Sequence, residues 1–343
     1  MDSYARPNKQ RTADVFRGRI PDRVPVFEVL VENPALEYIL GRPPSVASTL
    51  AGLSPEEYVD FAQKTGQDVI GLNFYFTPFH TTDTAGREVL LTDRIRTRED
   101  LARLSHRVPD ATEDTFALLD KYQKAVSGTD IGLFVLTGAF MTHAYDSLFG
   151  FEDFMYLLYD DLGLIEDVLE LQTEYYVQVS KRLVDYDLTF FYVGDDVAFK
   201  SGTLFHPDLL RRIWLPRIAR IMEPAVERDI PILFHSDGNI WELIPDLLDV
   251  GMDGLNPIEP YGMDIHEVKR RFGDTLTLVG NLDVGGVLSR GTPEEVRQEA
   301  GELIANIGKR GRYILASCHS ITANVPPENY LAMVKTAQEQ GRY

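Results

Sequence analysis

Two short stretches at the ends of apolar runs combine residue types that can share a metal ion or a proton. Residues 234–239 read Phe-His-Ser-Asp-Gly-Asn and follow the apolar residues 231–233. Because a strand repeats every two residues, His235 and Asp237 would leave the strand end on one face. A second apolar run, residues 313–316, leads to Cys318, the only cysteine in the sequence. Imidazole, carboxylate and thiolate all bind zinc, and a catalytic zinc keeps a fourth position open. The pattern therefore predicts a zinc site on His235, Asp237 and Cys318.

A purely structural interpretation of the same residues stays open. His235 would then hydrogen-bond to Asp237, and Cys318 would be buried as a small apolar side chain. His319 follows Cys318 directly and could support a metal ligand or donate a proton. Strand alternation would place His319 on the opposite face from Cys318, away from the predicted site.

Three further carboxylates at strand ends are candidates for catalysis. Asp195 and Asp196 follow Gly194, and Glu259 follows a later strand. Adjacent carboxylates at a pocket rim could bind a cation, orient a substrate hydroxyl or hold a proton. One of the two aspartates would face the pocket, and the other would pair with a neighbour or cap the following turn.

Eight apolar runs alternate with helical patterns and would position these residues. Strands are predicted at residues 24–30, 68–73, 133–138, 190–196, 232–237, 254–257, 276–281 and 313–316. Two helix starts carry a capping box with proline at the first position, Ser54-Pro55-Glu56-Glu57 and Thr292-Pro293-Glu294-Glu295. A short helix is predicted at residues 11–17, and a hairpin insertion around residues 85–91, after the second strand.

Strands that alternate with helices imply a parallel sheet in the α/β class. Eight strands close a (β/α)8 barrel of the TIM type, whose active site lies at the carboxyl ends of the strands. An open doubly wound sheet is the alternative, but no glycine-rich phosphate-binding turn follows the first strand.

Composition excludes several classes of function. The chain has 343 residues, 44% of them hydrophobic and 25% charged, with a formal net charge of -19. This charge disfavours binding to nucleic acid and to anionic membrane surfaces. A single cysteine excludes an internal disulfide framework and favours a reducing, cytoplasmic setting. The N-terminal residues do not form a signal peptide, and no apolar stretch could span a bilayer.

Three motifs resemble the uroporphyrinogen decarboxylase superfamily. Residues 17–26, Arg-Gly-Arg-Ile-Pro-Asp-Arg-Val-Pro-Val, are similar to that family's entry into its first strand. Residues 279–283, Val-Gly-Asn-Leu-Asp, resemble its seventh-strand motif. Residues 315–319, Leu-Ala-Ser-Cys-His, followed by Val-Pro-Pro-Glu-Asn at 325–329, resemble its C-terminal signature. The resemblance covers nearly the whole chain and implies one TIM-barrel domain over residues 1–343.

The superfamily that these motifs resemble has two branches. The decarboxylases carry an Arg-Gln-Ala-Gly-Arg run after the first strand, whose arginines hold porphyrin carboxylates. Residues 27–33 here read Phe-Glu-Val-Leu-Val-Glu-Asn, an acidic run that would repel a polycarboxylate. The corrinoid-linked methyltransferases carry a zinc site of the form His-x-Cys with a distant cysteine. His235 matches its first ligand and Cys318 its last, while Asp237 stands in place of the first cysteine.

The methyltransferase branch implies methyl transfer between a small substrate and the cobalt of a separate corrinoid protein. A carboxylate is a harder ligand than a thiolate, so Asp237 favours an oxygen substrate such as a methoxy compound, and hence O-demethylation. Asp195, Asp196 or Glu259 would orient the substrate or supply a proton. A homodimer is left open. The alternatives are a lyase that decarboxylates another carboxylated substrate, and a barrel that binds a ligand without turnover.

Overall fold

The computed structural model describes residues 6–45, 49–76, 80–82, 88–90, 94–105 and 113–343. Its strands are β1 (Val69–Phe74), β2 (His80–Thr82), β3 (Glu88–Leu90), β4 (Gly132–Gly138), β5 (Leu188–Gly194), β6 (Ala198–Phe199), β7 (Gly202–Thr203), β8 (Ile232–His235), β9 (Gly254–Asn256), β10 (Thr277–Leu282) and β11 (Tyr313–Ser317). A curled parallel sheet dominates these residues, with seven strands in the order β1-β4-β5-β8-β9-β10-β11. The prediction of an α/β fold around a parallel sheet of the TIM type is confirmed to this extent.

Helices connect the strands of the sheet. They are α1 (Lys9–Phe16), α2 (Ala35–Leu40), α3 (Pro55–Thr65), α4 (Arg98–Ser105), α5 (Glu113–Val126), α6 (Phe140–His143), α7 (Phe151–Asp160), α8 (Leu162–Leu183), α9 (Pro207–Ile213), α10 (Leu215–Glu227), α11 (Ile244–Asp249), α12 (Ile265–Phe272), α13 (Pro293–Asn306) and α14 (Pro327–Gln340). Both predicted capping boxes are confirmed at the starts of α3 and α13. Within the described ranges, no helix is long and apolar enough to cross a lipid bilayer.

The strand predicted at residues 24–30 is the main departure from the eight-strand expectation. Val26 forms an isolated parallel bridge to Leu315 of β11, and the described residues form no ladder between this segment and β1. The side chain of Gln67 connects this segment to β1 instead. Its Oε1 accepts from the Glu28 backbone N–H at 3.0 Å, and its Nε2 donates to the carbonyls of Glu28 and Val69. Pro25 contributes no N–H donor, which limits regular pairing here.

A separate antiparallel pair follows β1. His80 to Thr82 pair with Glu88 to Leu90, in register from His80 opposite Leu90 to Thr82 opposite Glu88. Residues 83–87 and 91–93, which include part of the predicted hairpin, lie outside the described residues.

Aromatic side chains fill the amino-terminal half of the sheet's interior. The rings of Phe134 and Phe190 stack with centroids 5.4 Å apart, and Phe27 meets Phe134 edge-on at 5.1 Å. The ring of Phe16 in α1 contacts the ring of Phe190, with centroids 5.3 Å apart. Gly71 must be glycine, because a Cβ atom there would lie 2.2 Å from the carbonyl oxygen of Phe134. This packing gives the site above it a rigid floor.

A buried carboxyl group fastens the segment of residues 24–30 to the last strand of the sheet. Glu28 is only 1% exposed, and its carboxylate accepts hydrogen bonds from the Ser317 backbone N–H at 2.6 Å and from Ser317 Oγ at 2.8 Å. Burial raises the pKa of Glu28 to about 8, although both hydrogen bonds oppose the shift.

Replacing Glu28 by glutamine is expected to change how stability depends on pH. The folded state holds the Glu28 proton up to about pH 8, and the unfolded chain releases it near its ordinary value. The contribution of Glu28 to the free energy of unfolding is therefore fully present at low pH and is lost as the pH rises to about 8. The free energy of unfolding of Glu28→Gln, relative to wild type, should rise by on the order of 2–3 kcal/mol between pH 6 and pH 9. Urea unfolding at both pH values measures this difference, and a constant difference would contradict the argument.

Candidate functional site

The alignment of three neighbouring strands builds the candidate site. Gly194 of β5 pairs with His235 of β8, and His235 pairs with Asn256 of β9. Because paired residues of parallel strands share a face, His235 and Asn256 project side by side into the sheet's interior. Tyr192, two residues before Gly194, projects from the same face one step lower.

Asn256 fixes the orientation and tautomer of the His235 ring. Its Nδ2 donates to the carbonyl oxygen of Val279 at 3.2 Å, so its Oδ1 faces His235 Nδ1 at 2.9 Å. Tyr192 also donates its hydroxyl hydrogen to Asn256 Oδ1, at 2.5 Å. An acceptor opposite Nδ1 requires a proton on Nδ1, which leaves the lone pair of the neutral ring on Nε2.

Two carboxylates face this lone pair. Asp196 Oδ1 lies 3.5 Å and Asp237 Oδ1 lies 3.6 Å from His235 Nε2. Burial alone would lower the pKa of His235, but the charges of Asp196 and Asp237 outweigh it and the net shift is upward. Burial raises the pKa of Asp237, against the opposing effect of His235. Asp237 Oδ1 is buried and has no hydrogen-bond partner among the described residues. The cluster therefore favours a proton or a metal cation at its centre.

Asp196 joins His235 and Asp237 as the third member of this cluster. Each residue offers one ligand atom, and the three atoms lie within 4.8 Å of one another. Asp196 is held firmly: its backbone N–H donates to Thr142 Oγ1 at 2.8 Å, and its Oδ1 accepts from the Asp237 backbone N–H at 2.9 Å. The sequence interpretation gave Asp196 a catalytic role and did not count it among the metal ligands.

Asp195 turns away from this cluster into the protein. It is 1% exposed and accepts four hydrogen bonds, from the backbone N–H groups of Met141 and Thr142, from Thr142 Oγ1 and from Trp214 Nε1. Burial raises its pKa to about 6, while these hydrogen bonds oppose the shift. As expected, one aspartate of the pair faces the pocket and the other has protein partners. A catalytic role for Asp195 stays a prediction, and its contacts suit a residue that positions the loop after β4.

Cys318 is not a member of the cluster around His235. It is 2% exposed, its Sγ accepts from the Val284 backbone N–H at 3.3 Å, and burial raises its pKa to about 12. Glu259 Oε2 accepts from the Gly238 backbone N–H at 2.9 Å, beside Asp237. The structure thus brings together two of the three predicted ligands, and Cys318 as a metal ligand stays a prediction.

His319 is a site residue that strand alternation placed wrongly. Its Nε2 lies 3.5 Å from Asp237 Oδ2, and its side chain is 48% exposed. β11 ends at Ser317, so the two-residue alternation does not extend to Cys318 and His319. Proximity to Cys318 in the sequence was the only signal for His319. Tyr192 and Asn256 could have been found from the face that each strand turns toward the interior.

A cavity of about 190 Å³ opens beside the cluster. One wall is apolar or aromatic, formed by Val29, Leu30, Tyr75 and Leu136. The polar lining includes Asn73, Thr142, Asp196, His235 and His319. An apolar pocket with a few convergent polar groups and a perturbed histidine is typical of an active site.

Comparison with known proteins assigns the family. The model of the family described as uroporphyrinogen decarboxylase (URO-D) matches residues 82–340. The chain belongs to the uroporphyrinogen decarboxylase family, and this membership indicates an enzyme. The family that the sequence motifs suggested is thereby confirmed.

Individual relatives are distant. The chain is 24% identical over 293 residues to a uroporphyrinogen decarboxylase of Neisseria meningitidis serogroup C, covering 81% of this chain and 76% of that protein. A match to a decarboxylase of another Neisseria meningitidis strain, 28% identical, spans only 39% of that protein. A solved methyltransferase from Methanosarcina mazei shares the fold, with a TM-score of 0.72 at 20% identity, over 98% of this chain and 99% of that one.

Asp195→Asn is expected to destabilise the protein by about 2–4 kcal/mol, because an amide NH₂ would face buried donors that now bind a carboxylate. Urea unfolding measures the loss. The adjacent Asp196→Asn is the matched control, since Asp196 is partly exposed beside a second carboxylate. Its free energy of unfolding should change by less than about 1 kcal/mol. Equal losses in the two variants would refute the positioning role of Asp195.

Proposed function

We propose that this chain is a zinc-dependent methyltransferase that moves a methyl group between a small substrate and the cobalt of a corrinoid carried by a separate protein. The observation that carries this proposal is the lone pair of His235 Nε2, aimed by Asn256 at the carboxylates of Asp196 and Asp237. The substrate is proposed to be a methoxy compound and the reaction O-demethylation. The fold of the Methanosarcina mazei methyltransferase supports the proposal by analogy.

The residues present fit a zinc ion. A neutral imidazole nitrogen and carboxylate oxygens are zinc ligands, and tetrahedral bonds of about 2.0–2.1 Å separate ligand atoms by about 3.3–3.5 Å. The corresponding distances from His235 Nε2 are 3.5 Å to Asp196 Oδ1 and 3.6 Å to Asp237 Oδ1. The unpartnered Asp237 Oδ1 is the atom that a cation would satisfy. His235 and Asp237 would hold the zinc, with Asp196 or the predicted Cys318 as third ligand.

When bound, the zinc would act as a Lewis acid that stabilises the oxygen left by the departing methyl group. The chain's own residues have distinct tasks. Asn256 and Tyr192 hold His235 in the tautomer that a ligand needs, and the apolar wall excludes water from the reacting group. His319, half exposed and 3.5 Å from Asp237, can carry a proton between the cavity and solvent. Asp196 and Glu259 are the proposed orienting groups.

The partner and the architecture complete the proposal. Residues 24–30 would act as the eighth strand of one barrel domain that spans residues 1–343. A corrinoid protein would then dock at the carboxyl end of the sheet, where the cavity opens. The negative charge and the single cysteine favour a cytoplasmic reaction without nucleic acid or membrane partners.

A second candidate function is decarboxylation, and the names of the Neisseria relatives favour it. Such a lyase would release carbon dioxide from a carboxylated substrate without cobalt or zinc. The cavity gives it little support, because none of the described lining residues is a lysine or arginine that could hold a carboxylate.

Wild-type protein is expected to contain about one zinc per chain, and His235→Ala less than about a tenth of that. Mass spectrometry of the purified proteins after dialysis against zinc measures the content. His206→Ala is the matched control, because His206 is an exposed residue at the start of α9 and should leave zinc unchanged. A wild-type protein without zinc would favour the decarboxylase.

The third ligand can be identified with two further variants. If Asp196 is the ligand, Asp196→Asn should lower zinc affinity by about tenfold to a hundredfold, and Cys318→Ser should not; the reverse result identifies Cys318. Competition with a chromophoric chelator measures the affinities. The variant that loses zinc should also lose methyl transfer from methoxylated compounds to a cobalt(I) corrinoid. Full transfer activity in a zinc-free variant would overturn the proposed function.

A further inference from the structure

Asn73 is one of the polar groups of the cavity without a hydrogen-bond partner among the described residues; the hydroxyls of Tyr75 and Ser320 are others. It lies near the end of β1, in the part of the strand where residues 69, 71, 73 and 75 face the interior. Among the described residues its side-chain amide has no hydrogen-bond partner, although it lines the cavity. Asp196, Thr142 and His235 all have protein partners. A partly buried amide with free donor and acceptor capacity is suited to bind a ligand group.

The charges around the cavity restrict which ligands can enter. Asp196 contributes its carboxylate to the lining, with Asp237 beside it, and the part of the chain that the structure describes adds neither lysine nor arginine to that lining. In the metal-free cavity, a ligand carboxylate would therefore meet like charge and find no guanidinium or ammonium partner, and the two lining histidines already face Asp196 and Asp237. An uncharged ligand would meet no such penalty.

The size of the cavity limits the ligand further. Its volume of about 190 Å³ is below the roughly 300–1,000 Å³ of sites for drug-sized ligands. One wall is formed by Val29, Leu30, Tyr75 and Leu136, against which an apolar ring or short chain can pack. A compound with one ring fits this description, and a tetrapyrrole does not.

From these observations we infer that the cavity selects a small, uncharged compound with an apolar body, and that Asn73 determines this specificity by hydrogen-bonding a neutral hydroxyl or carbonyl group of the ligand. Compounds that carry a carboxylate are rejected. The inference rests on the proposed function only in taking a methoxy group as the reacting part of the ligand. It adds a selection by charge that would exclude a polycarboxylate such as uroporphyrinogen.

Three probes of similar shape test the inference by binding alone. Methoxybenzene has no second polar group, 3-methoxybenzyl alcohol adds a neutral hydroxyl, and 3-methoxybenzoate adds a carboxylate. Titration calorimetry with the full chain, both as purified and with chelator, gives their dissociation constants. With chelator present, wild type should bind the alcohol at least about tenfold more tightly than the benzoate. Asn73→Ala should weaken binding of the alcohol by about threefold to tenfold and change the affinity for methoxybenzene by less than about twofold.

A charge-swapped variant provides the reciprocal test. Asn73→Arg adds a guanidinium at the same position and should reverse the preference, so that the benzoate binds more tightly than the alcohol. Circular dichroism and the thermal midpoint verify that both variants fold. The inference would be overturned if wild type bound the benzoate as tightly as the alcohol or more tightly. It would also be overturned if Asn73→Ala lost affinity for all three probes equally, or if no probe bound at all.

The two proposals fail in different ways. Binding of the probes requires neither corrinoid nor methyl transfer. The expected selectivity, without transfer to a cobalt(I) corrinoid, would overturn the proposed function and support the inference. Efficient transfer from 3-methoxybenzoate would overturn the inference and support the proposed function.

Discussion

The pairing of Gly194, His235 and Asn256 across three parallel strands is the constraint from which the site follows. It places an amide oxygen beside His235 Nδ1, and the amide is itself fixed by the carbonyl of Val279. The orientation of the imidazole is therefore set by side-chain hydrogen bonds that are anchored on the sheet. A one-residue slip between the strands would turn His235 away from the interior and dissolve the cluster.

Asp195 and Asp196 are adjacent in one loop, but the first stabilises the loop and the second faces the candidate site. Thr142 connects them, since its hydroxyl donates to the Asp195 carboxylate and accepts from the Asp196 backbone N–H. Asp195 is saturated with donors from the protein, so it holds the loop and the indole of Trp214 in place. Asp196 keeps its carboxylate toward His235 Nε2. The same residue type thus serves as an anchor at one position and as an available ligand at the next.

Much of this arrangement could be predicted from the sequence because local signals determine it. Apolar runs and capping boxes located seven strands and the starts of α3 and α13, and a two-residue spacing brought His235 and Asp237 together. Other features depend on long-range geometry. The end of β11 at Ser317 brings His319 to Asp237, and no spacing rule reports where a ladder stops. Likewise, only the fold reveals that Asp196, rather than Cys318, already lies beside His235.

The side-chain contacts that replace a ladder beside β1 have a consequence for synthesis of the chain. The segment of residues 24–30 finds its backbone partner in Leu315, about 290 positions later, and Val24 donates its N–H to the carbonyl of Gly341. On the ribosome, these apolar residues emerge early and must wait for the end of the chain before they can pair. Among the described hydrogen-bond partners of Glu28, Gln67 is made early and can engage it before then. The backbone of this segment therefore lacks its strand partner for most of synthesis, and an unpaired apolar segment of this kind is prone to aggregate.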